Sequence, residues 1–326
     1  MTQRLIADKF LPAFNNTALA EGNDFARVQL NQFEALQGKL SISTDAHVIT
    51  PLFYPGGDIG RLSVCGTVND VAMSGAIPLY LTASFIIEEG LPIAHLEIII
   101  ASMQEAAREA GVKIIAGDTK VVEKGKADGV FISTTGVGYI PAGIDIAGSN
   151  AKPGDAVLIS GTLGDHGIAV LSARGHLAFE TEVISDQSPL NELIQQVLQK
   201  APDIHVMRDP TRGGLATTLN EIACQSNVSI QIDETALPVS PAVRTACELL
   251  GFDPLYVANE GKVIIILPPE RVDDVLRVMR NHKYGKAAQL IGFVTDSPEP
   301  RVLLKTRLGT RRVLNVLSGE LLPRIC

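Results

Sequence analysis

The chain has 326 residues, 46% hydrophobic and 20% charged, a globular composition too long for one ordinary core. Acidic residues outnumber basic ones by 36 to 28, and the net charge of −8 argues against a general nucleic-acid or anionic-membrane surface. Cys65, Cys224, Cys247 and Cys326 are scattered without a Cys-x-x-Cys pair, which disfavours a zinc ribbon, a thioredoxin-like site or a disulfide framework and suggests the cytoplasm. Arg4, Asp8 and Lys9 interrupt any signal-peptide core, and the apolar runs are too short for a membrane span.

Residues 3–14 place Leu5, Ile6, Phe10, Leu11 and Phe14 at helical spacing. Residues 39–45 alternate as a strand with Asp45 at its end, and Tyr54-Pro55-Gly56-Gly57-Asp58 reads as a turn. A helix is expected from 59 to about 74. In it, Asn69 and Asp70 lie among Gly66, Val68, Val71, Ala72, Gly75 and Ala76. Small apolar neighbours suit close packing, where an ionised carboxylate needs a cation or donors; a wet helix face explains Asp70 equally well. Residues 79–87 read as a strand, 92–110 as a helix stopped by Gly111, and 112–116 as a short buried strand. Gly117-Asp118-Thr119-Lys120 then stands at a strand exit, where α/β sheets often place ligand groups. A strand at 129–138 leads to a linker at 141–154. Asp45, Asp70 and Asp118, with no histidine or cysteine beside them, suggest a hard cation such as Mg²⁺, with Lys120 for phosphate. Ordinary turn aspartates would give the same spacing.

In the second half, a strand at 156–160 runs through Gly161-Thr162-Leu163-Gly164-Asp165-His166-Gly167 into a helix at 168–174. Strand, glycine turn and helix can offer amides to an anion, although this is neither Walker A nor Gly-x-Gly-x-x-Gly. A tight turn explains the glycines as well, and His166 as a hydrogen-bonded turn residue. Arg208-Asp209-Pro210-Thr211-Arg212-Gly213-Gly214 precedes a helix carrying Leu215, Leu219 and Ile222, which suits phosphate or a capped helix with a surface ion pair. Ser240-Pro241 opens another helix. Glu260, in Asn259-Glu260-Gly261-Lys262 before a strand at 263–267, is a candidate site residue or part of an ordinary hairpin. A helix at 271–281 and strands at 289–294 and 302–305 lead to the tail, 318–326. It ends in Cys326, and a thiol on a chain end has no packing use. Extended at about 3.3–3.6 Å per residue, the tail would reach roughly 25–30 Å and deliver sulfur into a distant cleft. An accidental cysteine on a disordered end is the plain alternative.

Residues 67–76, Asp45, the 117–120 loop and the 209–215 turn resemble landmarks of the aminoimidazole ribonucleotide synthetase superfamily of ATP-using enzymes. Residues 160–167, 209–214, 258–262 and terminal Pro323-Arg324-Ile325-Cys326 narrow the resemblance to the HypE family of hydrogenase maturation proteins, over nearly the whole chain. It implies an α/β plus α+β fold in two domains. Residues 1–143 would bind ATP and metal and form a homodimer through a mixed sheet; 152–317 would be the α+β domain, and 318–326 a flexible tail. It further implies that Cys326 takes a carbamoyl group from the carbamoyltransferase HypF. ATP would drive its dehydration to a thiocyanate, and the cyanide would pass to iron on a HypC–HypD complex for [NiFe]-hydrogenase. Carried onto this chain, the nucleotide contacts would be Asp45, Gly57, Asn69, Asp70, Asp118, Thr119, Lys120, Asp209, Arg212, Gly213 and Gly214, with Mg²⁺ on Asp45, Asp70 and Asp118. Cys326, Lys120, Glu260 as base, and His166 behind it complete the expected catalytic set.

Family members usually carry a His-Gly-x-Gly-Gly stretch ahead of the first helix, and Met1 falls just after its place, so a shortened form or late gene start with weakened ATP use is expected. Two other readings stand beside this one. A synthetase of the same superfamily would phosphorylate a free small molecule, although a selenophosphate-type enzyme would carry a reactive residue before Cys65. A non-catalytic assembly protein would use its tail thiol to hold a metal or a partner.

Overall fold

The computed structural model describes residues 6–16, 38–175, 181–296, 299–316 and 324–325. The molecule is built around α1 (Ile59–Met73), which is buried on nearly every side. A helix apolar all round cannot face water, and this one lies between a sheet, a second helix and the other half of the chain. Asp58 starts it, its Oδ1 accepting the Gly60 and Arg61 amides at 2.7 and 3.1 Å. Close packing requires Gly60, where a Cβ would stand 2.3 Å from the Ile99 carbonyl oxygen.

The first sheet has the order β1 (Gly38–His47), β6 (Val130–Pro141), β4 (Ile77–Glu88), β5 (Lys113–Val122). Only β4 and β5 are parallel, as a crossover through α2 (Ile93–Ala110) requires. Helix α2 buries Leu96, Ile99, Met103, Ala106 and Ala110 as its period predicts, and Gly111 ends it at φ 70°. Between β1 and α1, β2 (Phe53–Tyr54) and β3 (Gly57–Asp58) form a two-residue ladder at the expected turn. Within the predicted N-terminal helix the described residues form a π-turn (Ile6–Phe10) running into Leu11–Ala13, residues 3–5 lie outside the described ones, and Phe10 packs edge-on against Phe85.

The second sheet runs β13 (Arg311–Leu314), β12 (Arg301–Lys305), β9 (Ser229–Asp233), β11 (Gln289–Thr295), β7 (Ala156–Ile159), β10 (Ile264–Leu267), β8 (Val206–Arg208). Central β7 and β10 are buried at every residue, because apolar clusters cover both faces. One cluster holds α5 (Gly214–Ser226); the other holds α4 (Asn191–Lys200) and α7 (Val272–Asn281). Helices α3 (Asp165–Ala173) and α6 (Pro241–Leu250) pack together at one side.

Three expectations need correction. The strand predicted at 112–116 continues to Val122, so Asp118 lies inside a strand and not at its exit. Pairing with β4, from Ala83–Gly117 to Glu88–Val122, supplies the hydrogen-bond partners that extend it. Helix α4 and strands β8, β9 and β13 also escaped prediction. The apolar, helical stretches around Cys65, Cys224 and Cys247 predict reduced core thiols; Cys65 and Cys247 are buried, but Cys224 is exposed, and all three are free.

The two halves meet through an ionic knot. Arg61 donates to Glu109 at 2.7 Å, Lys283 donates at 2.6 Å, and the Tyr284 hydroxyl donates as well. Burial works against the Glu109 carboxylate, but these donors hold its pKa down at about 2, from an ordinary 4.5. A depressed acid contributes stability above its unfolded pKa and loses it as pH falls through the folded one. Glu109→Gln is therefore expected to cost on the order of 1–3 kcal/mol at neutral pH. The difference should vanish near pH 2, as urea unfolding midpoints of both proteins would show.

Candidate functional site

Four carboxylates from four segments converge where the halves meet. Asp45 comes from β1, Asp70 from α1, Asp209 follows β8 and Glu260 precedes β10. Burial first, then the charges of Asp209 and Asp45, push the Asp70 pKa up to about 7, although Ser43 donates to its Oδ2 at 2.9 Å. Asp209 is raised by burial and by Asp45. Glu260 is raised well above the ordinary carboxylate value, by burial and then by Asp186, Asp209, Asp45 and Asp70. Its Oε1 is buried without a hydrogen-bond partner. So much negative charge beside an orphaned carboxylate oxygen is the environment a divalent cation relieves. Among the described residues, no three His, Cys, Asp or Glu side chains form a ready-made metal cluster. The donor set fits an ion that keeps waters and takes further oxygens from a bound phosphate.

Two asparagines hold this arrangement. Asn69 accepts the Leu190 amide at 2.8 Å and donates to the Ser188 and Glu260 carbonyls at 3.0 and 3.2 Å. Both of its N–H groups are thereby committed to backbone, and Asn69 serves as a strut between α1 and the Glu260 loop. Asn259 accepts the Gly164 amide at 2.7 Å and donates to the Pro210 carbonyl at 2.9 Å, joining two glycine-bearing turns. Gly213 and Gly214 take φ of 78° and 62° at the start of α5. A Cβ on Gly214 would reach the Leu255 and Val257 carbonyl oxygens at 2.6 and 2.7 Å, so close backbone approach explains this glycine. Arg212 beside them is exposed.

Sequence reasoning missed Asp186, Lys262 and His47. Burial alone would raise the Asp186 pKa, but Lys262 Nζ at 2.8 Å and the Glu260 and Gly261 amides bring it below the ordinary carboxylate value. His47 is buried, with Nδ1 unpartnered and Nε2 3.6 Å from Asp45. Burial lowers its pKa, keeping the imidazole neutral. The small residue at Gly66 leaves room beneath both; a Cβ there would stand 3.1 Å from His47 and 3.5 Å from Asp45.

Strand parity separates the third expected metal ligand from the others. Asp45 pairs with Thr134, which pairs with Ala83, and that row faces the helices. Asp118 pairs with Ser84, in the row of Ser133 and Ala46 on the helix-free face. Asp118 and Asp45 also lie on opposite edge strands, about 14 Å apart at ~4.8 Å per strand. One subunit therefore does not unite Asp45, Asp70 and Asp118. Lys120 lies beside Asp118 at 2.9 Å, exposed, while Thr119 is buried on the opposite face. Gly57 also stands apart, packed under the Gln187 amide where no Cβ fits.

His166 is not free to act as a base. It is fully buried, its pKa lowered by burial, with Nδ1 2.8 Å from Ser185 Oγ and Nε2 2.7 Å from the Ile325 carbonyl oxygen. The expected reactive residue, Cys326, lies outside the described residues, but its neighbours Arg324 and Ile325 are docked between the halves.

Family models for AIR synthase related proteins match the chain twice, the N-terminal domain over residues 22–140 and the C-terminal domain over 152–305. The carbamoyl dehydratase HypE of Cupriavidus necator is 56% identical over 323 residues, covering 99% of this chain and 91% of that protein. The chain belongs to the HypE family. A solved HypE in complex with ATP superposes with a TM-score of 0.94 at 50% identity, covering 100% of this chain and 96% of the other. HypE from a HypE–HypF complex matches at a TM-score of 0.83 and 50% identity, covering 96% and 99%. The expected AIR synthase-like fold is thereby established. Among the described residues no helix is long and apolar enough to cross a membrane.

Proposed function

We propose that this chain is an ATP-dependent carbamoyl dehydratase acting on its own carboxyl-terminal cysteine, and that it supplies the cyanide ligands of [NiFe]-hydrogenase iron. The observation that carries the proposal is the docked chain end. Ile325 is 4% exposed in the core shared with Ile49, Ile59, Val170 and Ala258, although a chain terminus has no general reason to be buried. Asp186 links that dock to the acidic cluster, since its charge acts on both His166 and Glu260. The HypE relative solved with ATP supports nucleotide use, and the one solved with HypF supports that carbamoyltransferase as donor. The cyanide acceptor would be the HypC–HypD complex, and the compartment the cytoplasm.

An amide oxygen leaves poorly as oxide, and ATP supplies the phosphoryl group that makes it a phosphate. In the overall step Cys–S–C(=O)NH₂ and ATP give Cys–S–C≡N, ADP and phosphate, the oxygen departing with phosphorus and the nitrogen giving up both protons. Asp45, Asp70 and Asp209 would hold Mg²⁺, which would offset the charge developing on phosphate oxygens. Glu260 is our candidate base. Burial first, and then its acidic neighbours, raise its pKa, which makes it a stronger proton acceptor than an ordinary carboxylate. The turns bearing Asp209, Arg212, Gly213 and Gly214 would flank the nucleotide.

We divide the chain into a domain at 1–143, a domain at 152–317 and a tail at 318–326. The helix-free face of the first sheet carries Leu40, Ile42, Ile77 and Ile86, each more than 40% exposed. A second copy covering it would form a homodimer and bring Asp118 and Lys120 to the shared interface.

The test is phosphate release from ATP before and after carbamoylation by HypF. A carrier enzyme should release phosphate only when carbamoylated, and not at all after deletion of residues 322–326. Equal release by the truncated chain would instead identify a synthetase with a free substrate.

A further inference from the structure

The described end of the tail is held by groups outside the acidic cluster. Ile325 makes an antiparallel bridge to Ile49. The Arg324 carbonyl accepts from the Thr50 amide at 3.3 Å and from Arg174 Nη2 at 2.9 Å, and Arg174 Nε donates to the Thr50 carbonyl at 2.9 Å. The Arg324 side chain pairs with Asp128 at 2.7 Å. Arg324 takes a φ of 54°, a left-handed conformation that non-glycine residues rarely adopt without compensating contacts.

The Ile325 carbonyl accepts from a group deep in the second half of the chain. A carbonyl oxygen can only accept, so Nδ1 of the neutral His166 ring accepts from Ser185 Oγ at 2.8 Å, and that Oγ accepts the Gln187 amide at 3.3 Å. The neutral imidazole then carries its proton on Nε2, which donates to the Ile325 carbonyl at 2.7 Å. Tyr54 braces the ring edge-on, with centroids 5.6 Å apart. Ser185 is itself pinned by its amide to the Pro55 carbonyl at 2.8 Å, and Gly56 leaves no room for a Cβ beside it. A chain of single-direction hydrogen bonds thus ends on the peptide unit immediately before the terminal residue.

We propose that His166 is the positioning residue of the dehydration step. Its Nε2–H fixes the Ile325 carbonyl, and so holds the residue that bears the carbamoyl group in register with the acidic cluster. This rests on the reading above that Cys326 is the carrier. His166 touches neither nucleotide nor reacting atoms; it acts through the backbone of the tail.

The experiment compares wild type, His166→Ala, His166→Gln and Ser185→Ala. Gln can place an amide N–H near the Nε2 position; Ala cannot. In single turnovers of protein carbamoylated beforehand by HypF, His166→Ala should dehydrate about tenfold or more slowly, with KM for ATP within about twofold of wild type. His166→Gln should recover most of the rate, and Ser185→Ala should show a smaller loss in the same direction. A second readout needs no carbamoyl chemistry: iodoacetamide labelling of Cys326, read by peptide mapping, should quicken several-fold in His166→Ala and return toward wild type in His166→Gln. Unchanged dehydration and labelling in His166→Ala would overturn the proposal. So would a loss that Gln and Ala share equally, since that marks a packing role. Labelling that changes as expected, with no carbamoyl adduct on Cys326, would leave the dock standing and refute the carrier reading.

Discussion

Cys326→Ala is expected to abolish the carbamoyl and cyano adducts altogether while leaving the folded protein unchanged. The expectation follows from where the other thiols lie. Cys65 and Cys247 are buried and their pKa values pushed up to about 12 and about 11, chiefly by burial, so neither offers a thiolate to an incoming carbamoyl donor. Cys224 is exposed, on the surface of α5, and no feature of the acidic cluster points toward it. The substitution removes a single sulfur, so thermal unfolding should shift little. Intact-mass spectra after exposure to HypF, carbamoyl donor and ATP give the answer. An adduct of unchanged stoichiometry on the variant would show that another residue carries the group.

Asp70→Asn is expected to lower phosphate release by carbamoylated protein by about two to four orders of magnitude, a usual range for removing a charged group that supports phosphoryl transfer. Its effect on stability should have the opposite sign. Asp70 is an acid whose pKa in the fold, about 7, lies above its ordinary 3.8, so the fold favours its protonated form. The wild type should therefore lose stability as pH rises from about 4 to about 7 and level off above that. The neutral amide escapes this loss and can still accept from Ser43, so without divalent cation the variant should be more stable at pH 8, on the order of 1–3 kcal/mol. Chemical denaturation at pH 5 and pH 8 checks the sign. A variant that is inactive and also destabilised at pH 8 would mean that Asp70 supports the fold and not a cation.

Much of the scaffold was legible because local pattern and tertiary environment agree. Alternation marked β1, the 3.6-residue period marked α2, and Gly111 stopped it where a left-handed cap was needed. Asp45, Asp70, Asp209 and Glu260 were each noted as candidates, Asp70 for its small apolar neighbours and the others for their places at a strand end or in a glycine-bearing turn. What failed was long-range. Asp118 looked like a strand-exit residue because nothing local announces that Gly117–Val122 will pair with β4; that pairing puts it on the other face of the sheet. Asp186 and Ser185 sit in a stretch with no periodic signal, and their roles come from contacts to Lys262 and His166, 76 and 19 residues away in the chain. Asn69 was recognised as unusual but its bracing role was not legible, because its partners are backbone carbonyls and an amide of loops that a linear reading cannot place.

The central claim is that the chain dehydrates a group carried on its own last residue. Intact mass follows it directly: the full chain is carbamoylated by HypF, freed of donor, and given Mg²⁺ and ATP. The account predicts the gain of one carboxamide, then the loss of one water from the same species on ATP addition, both mapped to the peptide ending in Cys326. Carbamoylated protein that keeps its mass through complete ATP turnover would contradict it.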